Sequence, residues 1–105
     1  MTEYIQVSTT LETKEDAQKL ARKLVEKKLA ACVQILGPVT STYRWEQRVN
    51  EDEEWLLFIK SGRHLYERME KTIKEIHPYE IPEIISVSVI AGSMEYLAWM
   101  DEELS

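Results

Sequence analysis

Apolar and polar positions follow several different periods along this chain, and the period changes at clear breaks. Residues 3–9 carry Tyr4, Ile5 and Val7 with a β-branched tail, the pattern of a first strand. Residues 10–13 break it, and Thr13 followed by Asp16 is a variant capping box whose hydroxyl can take an orphan amide of the first helical turn. Ala17, Leu20, Ala21, Leu24, Val25 and Leu29 then recur at three- and four-residue steps, the apolar stripe of a helix. Lys27 and Lys28 lie near its end, where cations suit the helix dipole. Residues 31–36 start a buried strand that Gly37 and Pro38 interrupt, as a bulge or an edge position, because proline cannot donate to a ladder.

Residues 39–49 resume as a strand rich in Thr, Tyr and Trp, and the polar run 50–53 predicts the hairpin turn. Residues 54–61 form the return strand, with Trp55, Leu57 and Ile59 on one face and Leu56 and Phe58 on the other. Gly62 ends it. Leu65, Met69, Ile73 and Ile76 predict a second amphipathic helix over 64–76. Pro78 stops that helix, and Pro82 keeps the next stretch extended. Residues 84–90 read as a fourth strand, Gly92 as a turn, and Ser93 as the N-cap of a short final helix carrying Met94, Leu97, Ala98 and Asp101. Asp101, Glu102 and Glu103 place the wrong sign at its C-terminus, which is expected to fray.

The order β-α-β-β-α-β plus a terminal helix predicts an α+β, ferredoxin-like fold: four antiparallel strands, two helices on one face, and a long hairpin between the second and third strands. Residues 1–105 are expected to form one domain. The return strand has no polar face. One side can lie under the helices, and a chain of 105 residues has no spare layer for the other, so a second subunit is the expected cover. Many unrelated functions share this fold, so the site must decide function.

Charge narrows the partners. Thirteen Lys and Arg against nineteen Asp and Glu give a net charge of −6, which disfavours nucleic acid and anionic membranes. Residues 1–10 lack a basic start and a long apolar stretch, so no secretory signal is expected, and no 18-residue apolar run predicts a membrane span. Cys32 is the only cysteine, so no intrachain disulfide can form, and a cytoplasmic location is expected.

Candidate chemistry is sparse. His64, His77 and Cys32 are the only imidazole or thiol ligands and lack the paired short spacing of structural zinc. Cys32 lies in the apolar run AACVQI, where a small buried thiol is the ordinary role. The segment 77–84, HPYEIPEI, carries an imidazole, a phenol and two carboxylates between two prolines; it is either a rigid wall of a binding site or a helix stop followed by a strand start. Glu80 and Glu83 should not converge in an extended chain as a general acid and base. Tyr43 and Trp45 share a face of the hairpin and suit an interface. Residues 51–54 read as a solvated acidic turn.

Three stretches carry a resemblance: LVEKKLAACVQILGPVTSTYRWE at 24–46, LLFIKS at 56–61, and HPYEIPEIISVSVIAGSMEYLAWM at 77–100. Together they resemble the CutA family of divalent-cation tolerance proteins over nearly the whole chain. The resemblance implies a ferredoxin-like homotrimer joined through sheet edges of the long hairpins and similar in shape to the PII signalling trimers. It implies a copper- or divalent-metal-responsive binding or signalling module, not an enzyme. The family's inter-subunit cleft maps onto Tyr43, Trp45, Lys60, His77, Tyr79, Glu80 and Glu83, with Cys32 as the family's LAAC cysteine. Of the copper ligands described for some members, only His77 remains, since Ser8 and Ile76 stand where those members carry cysteine and histidine. Cu(II) or another divalent metal is therefore expected to bind weakly, and no organic cofactor is evident. The alternatives are a PII-like trimer holding a small organic ligand or nucleotide in its cleft, or an enzyme of similar fold such as an acylphosphatase. Against the last, residues 9–13 (TTLET) lack the glycine and arginine of a phosphate-cradling loop.

Overall fold

The computed structural model describes residues 3–105; Met1 and Thr2, the start of the expected domain, lie outside the described residues. The elements are β1 (Tyr4–Leu11), α1 (Lys14–Glu26), β2 (Cys32–Trp45), β3 (Arg48–Gly62), a 3-10 turn (Arg63–Leu65), α2 (Tyr66–Ile76), β4 (Ile85–Ser88) and α3 (Met94–Leu104). The strands form one antiparallel sheet in the order β2-β3-β1-β4, as the ferredoxin-like pattern requires. Thr13 caps α1 by accepting the Asp16 amide at 3.1 Å, and Ser93 caps α3 by accepting the Tyr96 amide at 3.2 Å.

The core lies between one sheet face and the first two helices. Ile5, Val7 and Leu11 of β1 and Leu57 and Ile59 of β3 meet Ala17, Leu20 and Leu24 of α1 and Met69 and Ile73 of α2, all buried. The same strands alternate, so Gln6, Ser8, Leu56, Phe58 and Lys60 point to the opposite face. There α3 covers only the end of the sheet, where Tyr4 donates to Asp101 at 2.8 Å. Met100 and Leu104 of α3 are buried.

Three expectations are corrected and one is met. The hairpin turn falls at Glu46 and Gln47, with left-handed φ of 50° and 67°, and not at 50–53. Two left-handed residues are what a two-residue turn matching the strand twist needs, although neither is glycine or asparagine. The run 50–53 pairs along β3 instead, with Asn50 opposite Tyr43 and Asp52 opposite Ser41. At Gly37–Pro38 the expected bulge is present, as a register shift within β2, which is also an edge strand, and a Cβ on Gly37 would stand 2.5 Å from the Trp55 ring. The strand read over 84–90 is only Ile85–Ser88. The end of α3 is held, not frayed: Leu104 is buried, and the Lys28 ammonium donates to the Ser105 carbonyl at 3.2 Å, putting a cation beside that helix C-terminus.

β1 ends opposite Trp55, so residues 48–54 of β3 pair only with β2. The hairpin therefore projects as a two-stranded arm and gives the molecule its long axis of 44 Å against 25 and 22 Å.

Two stability changes follow. The Glu46→Asn/Gln47→Gly double variant supplies side chains that tolerate left-handed φ; it is expected to be more stable by about 1 kcal/mol in denaturant unfolding. Thr9 is fully buried, and its hydroxyl has no hydrogen-bond partner among the described residues. Thr9→Val removes that unpaired group and is expected to raise stability by about 1 kcal/mol, read as a higher denaturant midpoint at unchanged slope.

Candidate functional site

A groove of about 790 Å³ runs between the arm and the loop that precedes β4. β1 contributes Thr10, with Glu12 just beyond it; the arm contributes Ser41, Thr42, Tyr43, Trp45, Asp52, Glu53 and Glu54; the loop contributes Tyr79, Glu80, Ile81 and Glu83. Among the described residues six carboxylates and three aromatic rings line it, and no lysine, arginine or histidine does. The floor is thus a strongly negative surface with flat apolar sides, suited to cations and to flat or extended molecules.

The loop is fixed by two ties. Pro78 and Pro82 restrict its backbone, and His77, buried at the end of α2, anchors it to β1. The His77 Nε2–H donates to the Thr10 carbonyl at 2.7 Å, and Nδ1 accepts the Tyr79 amide at 3.2 Å. Those two bonds define the neutral ring with its proton on Nε2. Tyr79 stacks obliquely on the imidazole at 4.7 Å between ring centres and donates its phenol to Glu54 at 2.9 Å. Tyr43 likewise donates to Asp52.

Each phenol is shifted by its setting. Burial, and then the bond to Glu54, pushes the Tyr79 phenol above its ordinary value; the bond to Asp52 does the same to Tyr43. Both stay protonated donors at neutral pH, so each neutralises no charge but orients a carboxylate. Glu54 is 8 % exposed, and the Tyr79 phenol supplies the hydrogen-bond donor that a carboxyl group buried there needs.

The predicted residues divide into two sets. Tyr43, Trp45, Tyr79, Glu80 and Glu83 meet in the groove, and His77 stands behind its wall. Cys32, which opens the edge strand β2, and Lys60 of β3 are paired neighbours at the end of the hairpin opposite its turn, away from the groove. There Lys60 donates to the Gln34 side chain, and Cys32 is a free, half-buried thiol beside Tyr96. Ser8 lies on that same sheet face opposite Phe58, and Ile76 ends α2. Sequence reading missed Asp52, Glu54, Thr10 and Glu12. The available signal was alternation: counted back from Phe58 and Leu56, Glu54 and Asp52 share their face once the turn is moved to 46–47.

Among the described residues no three or more His, Cys, Asp or Glu side chains are grouped to hold an ion. Both His77 nitrogens are engaged by backbone groups, the Thr10 carbonyl and the Tyr79 amide, and the ring thereby orders the loop. A metal at His77 would have to displace one of these two bonds.

His77 does predict a pH response. Burial lowers its pKa below the ordinary 6.5, outweighing the opposite pull of the Thr10 carbonyl and of the Glu54 and Asp16 charges. A base with a depressed folded pKa contributes stability that is complete above about pH 6.5 and is lost as pH falls toward the folded value. Unfolding measured in denaturant from pH 8 to 5 is expected to weaken below about pH 6.5. His77→Gln, which cannot titrate, is expected to be less stable at pH 8 and to lose that part of the slope.

Comparison with known proteins agrees with this architecture. The family model described as "CutA1 divalent ion tolerance protein" matches residues 5–103. The divalent-cation tolerance protein CutA of Thermus thermophilus is 42% identical over 96 residues, covering 91% of this chain and 93% of that protein. The human protein CutA is 39% identical over 84 residues, covering 80% of this chain but 47% of its own length, so this chain spans about half of that relative. The solved divalent cation tolerance protein (Cut A1) of Thermus thermophilus superposes with a TM-score of 0.92 at 40% identity over all of both chains. The match runs through the arm, the groove loop and α3 alike, and this chain belongs to the CutA1 divalent ion tolerance family.

Proposed function

We propose that the chain works as a homotrimeric, divalent-cation-responsive binding module, without turnover. The observation that carries this reading is the unpartnered arm: residues 48–54 of β3 lack a strand on the β1 side, and the sheet face bearing Leu36, Leu56, Phe58, Ile85 and Val87 has no helix layer over most of its area. A two-stranded hairpin is marginal in water unless packed. β2 and β4 also leave both outer sheet edges free, and long open edges invite pairing. Copies of the chain laid edge to edge satisfy all three demands at once.

The metal side of the proposal rests on the acidic groove. Its carboxylates attract divalent cations as exchangeable, weakly held ligands, with His77 ordering the wall. Carboxylate sites are unselective, so Zn(II) and Ni(II) compete with Cu(II), copper being favoured by its general affinity order. Tyr43, Trp45 and Tyr79 support a second reading in the same groove, a small organic ligand stacked on the rings. A reducing, cytoplasmic setting accords with the single cysteine.

Native mass spectrometry of metal-free protein, followed by copper titration, tests both parts. The expected result is a trimer that takes up copper weakly, with an affinity little changed in His77→Ala. Loss of copper binding in that variant would make His77 a ligand, and a monomer at micromolar concentration would end the trimer reading. Trp45→Ala is expected to weaken assembly more than His64→Ala does, because large aromatics at an interface commonly carry about 2 kcal/mol or more.

A further inference from the structure

We propose that Lys60 is the counter-charge that seats the arm of a second copy of this chain, with Asp52 of that copy as its partner. The proposal rests on the homotrimeric reading above and names the contact that sets its register.

Two rows of side chains cross the sheet face that α1 and α2 do not cover, the first of them meeting α3 at its Cys32 end, beside Tyr96. Cys32, Lys60, Gln6 and Val87 form one, and Gln34, Phe58, Ser8 and Ile85 form the next. Lys60 is the single charged group in these rows. Its ammonium donates to Gln34, a neutral acceptor, and no carboxylate lies within salt-bridge distance of it among the described residues. While the face is wet this arrangement is inexpensive. Once a second copy covers the face, an ammonium with only neutral neighbours becomes strongly unfavourable, and an anion must arrive with the cover.

The arm supplies one. Alternation along β3 puts Asp52 and Glu54 on the same sheet face as Lys60. Glu54 is buried and held by Tyr79, whereas Asp52 is exposed and accepts only the Tyr43 phenol among the described residues. Within one chain the pair cannot meet. Asp52 and Lys60 are eight residues apart on one extended strand, about 26 Å at roughly 3.3 Å per residue. Two copies related by rotation remove that distance, because an arm of about 23 Å can cross a four-stranded sheet about 15 Å wide.

Sedimentation equilibrium on the full chain tests this, with wild type, Lys60→Met, Lys60→Arg, Asp52→Asn, the Lys60→Met/Asp52→Asn double variant and the Lys60→Asp/Asp52→Lys exchange. Each uncharged single variant is expected to raise the dissociation constant of the assembly about tenfold or more. The double variant is expected to be no weaker than the worse single, since one pair is lost only once. Lys60→Arg and the charge exchange are expected to recover assembly, which separates a lost contact from a failure to fold. A wild-type trimer indifferent to Lys60→Met overturns the proposal alone, as do additive effects in the double variant. Wild-type assembly strengthened by added inorganic phosphate, and only when Lys60 is present, also overturns it, because the anion then comes from solution. A monomeric wild type overturns the trimer reading and this contact with it.

Discussion

The β2–β3 hairpin is longer than the strand beside it. β3 runs from Arg48 to Gly62, while β1 reaches only as far as Trp55. Within the seven residues 48–54 of β3, alternate residues consequently direct their backbone N–H and C=O away from β2, with nothing among the described residues to meet them. The backbone of a strand cannot be left half-paired in an apolar setting, and alone the arm has too little surface to hold itself. That mismatch of lengths fixes the 44 Å shape, opens the groove between arm and loop, and leaves an apolar sheet face that the helices do not reach.

The groove follows from the same mismatch, because β1 stops where the arm begins. Thr10 and Glu12 then become wall, and the chain entering β4 must pass them. His77 uses that passage. Its ring spends both nitrogens on backbone groups, one on each side, so the loop and the end of β1 move as one body. Tyr79 extends the tie to Glu54 on the third strand. The result is a rigid negative surface whose orientation depends on neutral donors. A positively charged donor in those positions would cancel the field that draws cations to the groove.

Much of the fold was legible in the sequence because helices announce themselves. The stripe from Ala17 to Leu24, the Thr13 cap, and the Met69–Ile73 step each have a period or a cap that the structure keeps. The turn was not legible. Glu46 and Gln47 adopt left-handed backbone without the residues that usually mark it, and the acidic run at 50–53 imitated a turn while alternating along an exposed strand. The end of α3 was misread because its local charge is wrong for a helix terminus, and the remedy is Lys28, far away in sequence. Five site residues were found because they are aromatic or belong to the proline-bracketed loop. Asp52 and Glu54 were hidden by the misplaced turn. Separating Lys60 and Cys32 from the groove requires the strand register, which no local pattern contains.

The central claim is that the arm is stable only when a second copy covers it. Hydrogen–deuterium exchange of the amides in 39–54, measured across a dilution series, tests that claim most directly. In the projecting part, the β3 amides directed away from β2 have no partner among the described residues. They are expected to be protected at concentrations where the chain is assembled, and to exchange at near-unprotected rates on dilution while the amides of β1 and α1 stay slow. Protection of those arm amides that is independent of concentration, in a species that sediments as a monomer, would contradict the account.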